Sequence, residues 1–268
     1  MKLIPILLTV GMLAVSGYAQ DAKPEPYSAE LAKRAKAGEA MAQSRLGVCY
    51  FLGEGVSRDQ NQAVKWWTKS AEQGYAMAQY NLGSCYYDGK GVSQDYNQAV
   101  KWWTKSAEQE NLKAQYALGK ANYFGEGATQ DYKEAVKWWT KSAEGGEAWA
   151  QCGLGRCYYG GKGVTQDYKE AVKWYTKSAE QGDAKAQFNL GVHYFKGEGL
   201  AKDEAEAAKW FQKSADQKDA LAEYTLGVCY FYGYGVPKNR AEALKLFNNS
   251  AEQGYDLAKE ALQRLKSK

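Results

Sequence analysis

Apolar residues recur at helical spacing over short stretches of this chain, and the stretches themselves return every 36 residues. In the first full stretch Ala42, Leu46 and Tyr50 stand at i, i+4 and i+8, which places an alanine, a leucine and an aromatic on one face of an α-helix, helix A. Gly47 lies beside that stripe, where the missing side chain lets a partner helix come close. The pattern breaks at Gly53-Glu54-Gly55-Val56, two glycines suited to positive φ followed by a valine able to plug a core. Asp59 then precedes Gln62 by three residues, the spacing of a capping box, and predicts the start of a second helix. Helix B runs through Ala63, Trp66, Trp67 and Ala71 and stops at Gly74, a residue suited to a left-handed helix end.

The same columns recur without insertion. Leu-Gly occurs at Leu46-Gly47, Leu82-Gly83, Leu118-Gly119, Leu154-Gly155, Leu190-Gly191 and Leu226-Gly227, and the capping pair returns as Asp95/Gln98, Asp131/Glu134, Asp167/Glu170, Asp203/Glu206 and Asn239/Glu242. A period of this size marks a solenoid. Glu110 and Lys218 replace the helix-ending glycine in two copies, so those turns are expected to be strained or to take another conformation. Residues 28–37 fit the register of a helix B and residues 256–266 that of a helix A, as half-repeats that cap the exposed ends of a stacked core. The expected fold is all-α: a right-handed α/α superhelical solenoid of six helix-loop-helix repeats with capping half-repeats, helices A on the concave side. Its expected boundaries are a leader at 1–19, a linker and capping helix at 20–38, six repeats at 39–254 and a capping helix at 255–268.

Composition narrows the function. With 45% hydrophobic and 14% aromatic residues and a formal charge of +4, the chain is a folding sequence with no demand for nucleic acid or an acidic membrane as partner. Met1-Lys2, the apolar run Leu3 to Gly17 and the small residues Gly17 and Ala19 predict a secretory leader cut after Ala19, and no later segment reaches the roughly 20 apolar residues of a spanning helix. The mature protein is therefore expected in the periplasm or secreted. Five cysteines in an exported chain raise the question of disulfides. Cys49, Cys85, Cys157 and Cys229 share one repeat column with Ala121 and His193, and equivalent positions on neighbouring repeats lie beyond the roughly 7 Å that a disulfide can bridge between α-carbons. All five, Cys152 included, are expected mainly as small buried hydrophobes.

Ala78-Gln79-Tyr80-Asn81-Leu82-Gly83, Tyr86, Gly89-Lys90-Gly91-Val92, Asp95-Tyr96, Ala99-Val100-Lys101-Trp102-Trp103 and Lys105-Ser106-Ala107-Glu108-Gln109 together resemble the Sel-1-like repeat, a relative of the tetratricopeptide repeat. The resemblance covers nearly all of residues 28–268 and implies an α/α superhelix that serves as an adaptor or scaffold, often exported in bacteria. Repeat three departs from it, with Asn122 at the tyrosine position and Ala128 at the loop valine. A cysteine-rich secreted branch of the family is described as penicillin-binding or weakly β-lactamase-like and bridges helix A to helix B in each repeat. No helix B here contains a cysteine, so similarity to that branch is one of fold.

Catalytic patterns are missing from the sequence. No Ser-x-x-Lys, Ser-Asp-Asn or Lys-Thr-Gly occurs, as serine β-lactamases require. His193 is the single histidine, a whole repeat from Cys157 and Cys229 and thus expected as a packed helix residue. There is no Cys-x-x-Cys or paired histidine for a metal, and Ser84 and Arg156 stand where a phosphate-binding loop needs its first glycine; no cofactor is expected. The doublets Trp66-Trp67, Trp102-Trp103 and Trp138-Trp139 suit either sugar stacking or core packing, and their drift to Trp174-Tyr175, Trp210-Phe211 and Leu246-Phe247 favours packing.

Function is expected where copies differ. Four helix A columns vary, beginning at Met41, Arg45, Val48 and Leu52, and the centre of the groove is assigned to Asn81, Lys120, Trp149, Arg156 and Asn189. Asn can bond a peptide backbone as donor and acceptor, and Lys or Arg can hold carboxylates; a solvated face with scattered apolar residues is the alternative. The expected function is a non-enzymatic scaffold for a protein or peptide partner in the cell envelope. A regulator of a membrane receptor, a cell-wall binder and a β-lactam-binding protein are the other readings, and sequence leaves the oligomeric state open.

Overall fold

The structure, a computed structural model, describes residues 26–266; the expected leader lies outside them. Fourteen helices and no strand occur among the described residues: α1 (Ala29–Lys36), α2 (Ala40–Leu52), α3 (Gln60–Glu72), α4 (Ala76–Asp88), α5 (Tyr96–Ala107), α6 (Leu112–Phe124), α7 (Tyr132–Glu144), α8 (Ala148–Gly160), α9 (Tyr168–Glu180), α10 (Ala184–Lys196), α11 (Glu204–Asp216), α12 (Ala220–Tyr232), α13 (Arg240–Glu252) and α14 (Asp256–Lys266). Even numbers from α2 are helices A and odd numbers helices B, so the all-α solenoid read from the period is the fold. The helices fall into two compact units, α1–α4 and α5–α14, divided between Asp95 and Tyr96. Within each unit every helix packs on the next.

The Leu-Gly column explains how a helix A meets its helix B. A Cβ on Gly47 would lie 2.6 Å from the Trp67 ring, and one on Gly155 or Gly191 would lie 2.7 Å from Tyr175 or Phe211. The second aromatic of these doublets is thus a core residue wedged under that glycine. Trp67, Trp139, Tyr175 and Phe211 are almost fully buried, and the Trp67 indole donates to the Ser44 carbonyl at 3.0 Å. The first aromatic reaches the preceding helix pair: Trp174 packs with Tyr123, Ala135 and Trp139. Lysines of the same helix lie over these outer rings, Lys69 at 4.6 Å from the Trp66 centroid and Lys213 at 3.7 Å from Trp210, so the doublets are packing elements.

The Gly-x-Gly loop divides its labour. Its first glycine ends helix A in the left-handed region, as Gly161 does at φ 64; its second lets the loop touch the preceding helix B, since a Cβ on Gly163 would fall 2.2 Å from the Tyr132 carbonyl oxygen. No other residue fits both requirements.

Two columns of buried polar residues stitch the stack, and sequence reading passed over both. Ser70, Ser142, Ser178, Ser214 and Ser250 donate to carbonyls 30 residues earlier at the start of their helix A, at 2.6–2.8 Å. Gln79, Gln151 and Gln187 donate Nε2 to the carbonyls of Ala71, Ala143 and Ala179 in the preceding helix B, each at 3.1 Å. Gln181 and Gln217 in turn donate to the side-chain oxygens of Gln151 and Gln187. Each bond satisfies a buried group whose orphaning costs about 1–3 kcal/mol.

One expectation changes and another is met. Asp59, Asp131, Asp167, Asp203 and Asn239 do cap their helices, but the Glu of the expected box bonds a lysine one turn ahead instead: Glu134 to Lys137, Glu170 to Lys173, Glu206 to Lys209, Glu242 to Lys245. The N-cap amides are already taken by the preceding helix A, as Asp131 N–H donates to the Asn122 carbonyl at 2.9 Å and Asp203 N–H to the Tyr194 carbonyl at 2.9 Å, so the carboxylate turns to the lysine on its own exposed turn. At the helix-B ends, Glu110 and Lys218 keep the glycine conformation at φ 62 and φ 61, because Asn111 and Asp219 must still take their place as the next N-caps; the strain is retained rather than relieved.

Candidate binding face on helices A

Exposure of the four variable columns is uneven. Met41, Leu52 and Tyr232 in the outer columns are exposed, whereas Asn81, Ala117, Ser84, Val192 and Val228 of the two inner columns are buried. The cause is packing on a second side: a Cβ on Gly153 would meet the Trp139 ring of the preceding helix B at 2.9 Å. The variable surface is therefore narrower than periodicity predicts.

Of the five residues assigned from sequence, Asn81 is the correction. In the first unit it is 0% exposed, and both of its amide atoms lack a hydrogen-bond partner, so it offers nothing to a surface ligand. The second unit brings three of the others together on α6 and α8. Trp149 sets its ring 5.8 Å from Tyr116. Arg156 lays its guanidinium over Tyr123 at 4.4 Å, Phe124 at 5.4 Å and Trp139 at 5.8 Å. Lys120 stands on α6 one turn from both Tyr116 and Phe124, the spacing that shares a helix face. All three are half-buried, as is Asn189 on α10, to which no contact with that patch belongs.

The sequence reading missed Lys162. Its amine lies 5.1 Å from the Tyr123 centroid and 4.9 Å from Tyr132, and hydrogen bonding to Tyr123 raises its pKa above the usual lysine value. Its signal was visible as a lysine in a loop column that holds Glu54, Glu126 and Glu198 in alternate copies.

The Sel1 repeat pattern matches six times, at residues 40–75, 76–111, 112–147, 150–183, 184–219 and 220–255. The chain belongs to the Sel1 repeat family. Among solved structures it is similar to a protective antigen present in uropathogenic Escherichia coli strains, with 41% identity, a TM-score of 0.78, and coverage of 85% of this chain and 49% of that one. The chain thus spans about half the length of that relative. It is also similar to a Sel1 repeat protein from Oxalobacter formigenes, with 36% identity, a TM-score of 0.75 and coverage of 80% and 85%. A third similarity, at 26% identity and a TM-score of 0.52, is to a sel1 repeat protein from Klebsiella pneumoniae, covering 76% and 99%. No curated protein matches the chain.

The groups with chemical potential in this Sel1 repeat protein are built into its core. His193 is 1% exposed, bonds the Glu198 carbonyl through Nδ1 at 2.8 Å and is ringed by Tyr159, Tyr168 and Tyr175. Burial holds its pKa below the ordinary 6.5, and Nδ1 must carry the proton to donate. All five cysteines are free, and burial pushes Cys85, Cys157 and Cys229 up to about 12, which removes the thiolate a nucleophile needs. Cys152 hydrogen-bonds Asp183, itself the cap of α10. Among the described residues no group of three or more His, Cys, Asp or Glu could hold a metal ion, and no helix is long and apolar enough to cross a membrane.

Proposed function

We propose that the protein is an exported, non-enzymatic scaffold of the cell envelope that binds a protein or peptide partner through the variable face of its helices A. The observation that carries this is the Lys120, Trp149 and Arg156 patch, where aromatic rings and two half-buried cations are gathered on α6 and α8 while the Leu-Gly and alanine columns beside them repeat unchanged. Sel1 repeats generally mediate protein interactions, and half-buried aromatic and arginine side chains are the residues that dominate such interfaces. Asn189 extends the face; Asn81 does not contribute. Periplasmic regulation of a membrane receptor and cell-wall binding are finer forms of the same reading.

The test is affinity capture from the native envelope with the full chain, run beside Lys120→Glu, Arg156→Gln. One protein held by the wild type and lost by a double variant of unchanged helicity is the expected result. Equal retention by both would reject this face as the binding surface. Nitrocefin turnover by the purified chain would instead support the β-lactam alternative.

A further inference from the structure

The last residue of each helix A and the second residue after it form a charged pair in two copies. In repeat two, Asp88 and Lys90 meet at 2.9 Å. In repeat five the polarity is reversed, with Lys196 and Glu198 at 3.6 Å. Repeat four keeps the lysine, Lys162, but has Gly160 where Asp88 stands, which is half of an ion pair. One turn earlier on the same face, Arg156 replaces Ser84. Neither Arg156 nor Lys162 meets a carboxylate among the described residues, and Arg156 Nε is buried without a hydrogen-bond partner. Both cations lie against the same Tyr123 ring, which holds them in place at little further entropic cost to a ligand. Above Gly160 there is room: a Cβ there has nothing nearer than Lys162 Cγ at 3.8 Å.

We infer that repeat four carries a carboxylate-binding site, in which an acidic group of a peptide partner occupies the space over Gly160 that the Asp88 side chain fills in repeat two, held by Lys162 and Arg156. The inference rests on the partner-binding reading and names the chemistry its ligand must present. Charge complementarity chooses the occupant: a fixed, uncompensated pair of cations favours an anion, and a guanidinium beside an ammonium suits a carboxylate. Tyr123 and Tyr132 lie under the exposed Lys162 amine and Phe124 under Arg156, so the rings orient both cations towards the open side of the site. An aspartate placed at Gly160 would complete the pair from within, as in α4, and shut the ligand out.

The full chain, 15N-labelled, is titrated with three acetylated tetrapeptides, following the Gly160 amide and the Arg156 Nε–Hε signal. The first is an all-glutamate peptide with an amidated C-terminus, the second an all-alanine peptide with a free C-terminal carboxylate, and the third a neutral, amidated all-glutamine peptide. Saturable shifts with one or both carboxylate peptides and none with the neutral one are expected; the two acidic arms separate side-chain from terminal carboxylates. Gly160→Asp should weaken binding by about tenfold or more with an unchanged or raised melting temperature, and Lys162→Gln should weaken it likewise. Shifts of equal size with the neutral peptide, no saturation at millimolar peptide, or equal affinity in Gly160→Asp would each overturn the site. An envelope partner captured equally by wild type and Gly160→Asp would overturn it too while leaving the scaffold reading in place.

Discussion

Glu223 sits in a column that is otherwise glutamine, and replacing it should stabilise the protein. In the earlier repeats the buried Gln donates Nε2 to the alanine carbonyl eight residues before it, at 3.1 Å from Gln187 to Ala179, and accepts from the Gln at the end of its helix B. Glu223 keeps only the second half: Gln253 donates to it at 2.6 Å, and an oxygen takes the place of the donor that would serve Ala215. The side chain is 5% exposed, so burial raises its pKa above the ordinary 4.5 despite the bonds from Gln253 and Asn249. Glu223→Gln restores one buried hydrogen bond and removes a buried charge, a gain of about 1–2 kcal/mol, or about 2–8 °C in melting temperature for a chain of this size. The sign with pH follows from the raised pKa. The folded state holds the proton more tightly, so the cost of Glu223 is absent below its unfolded pKa and grows as pH rises through the folded one. Thermal melts by circular dichroism at pH 8 and pH 4 should therefore show a large gain at pH 8 and a small one at pH 4. Because a solenoid can melt locally, amide exchange of α12 and α13 gives the same reading at higher resolution. No gain at pH 8, or one of equal size at both pH values, would refute the reasoning.

Lys218→Gly should raise stability by about 0.5–1 kcal/mol, since the left-handed conformation at φ 61 costs a side chain roughly 1–2 kcal/mol and glycine gives part of that back as chain entropy; denaturant melts check it, and Glu110→Gly should behave alike. Asn81→Ala should leave stability unchanged or raise it by about 1 kcal/mol, because two orphaned amide atoms leave a core position that holds Ala117 in the next repeat; a clear loss in urea would show that the amide has a partner. For His193 the depressed pKa makes the neutral ring the folded form, so stability is full above about pH 6.5 and lost as pH falls towards the folded value. His193→Cys, the residue of four sister repeats, should flatten that acid-side loss in melts between pH 7 and pH 5, opposite in sign to the Glu223 effect.

Repetition decides what could be read from this sequence. The Ala42 and Leu46 columns, the Leu-Gly pair and the Gly-x-Gly turn each occur six times and the Tyr50 column five, with Asn122 the exception, so a chance pattern in one copy is cancelled by the rest. The same redundancy hid the Gln and Ser stitches in plain view: Ser178 recurs as faithfully as Leu154 and Gln151 in all copies but the one with Glu223, but a polar residue that repeats looks like a solvated face until its burial is known. Burial of the inner variable columns was illegible for a related reason. Whether position 153 faces a groove or the Trp139 ring depends on a neighbouring helix pair, which the period of one helix does not encode.

The proposed binding site lies at the opposite extreme, because a partner needs a feature that does not repeat. Six equivalent surfaces would give a ligand six equivalent registers, whereas one departure fixes one register. Lys162 without its Asp88 counterpart, beside an arginine where repeat two has Ser84, is such a departure, and it gains meaning only once the Asp88–Lys90 contact shows what the two positions do together. In a solenoid the repeating columns account for folding, and the proposed site takes the one copy in which the loop lysine has lost its carboxylate and gained an arginine neighbour.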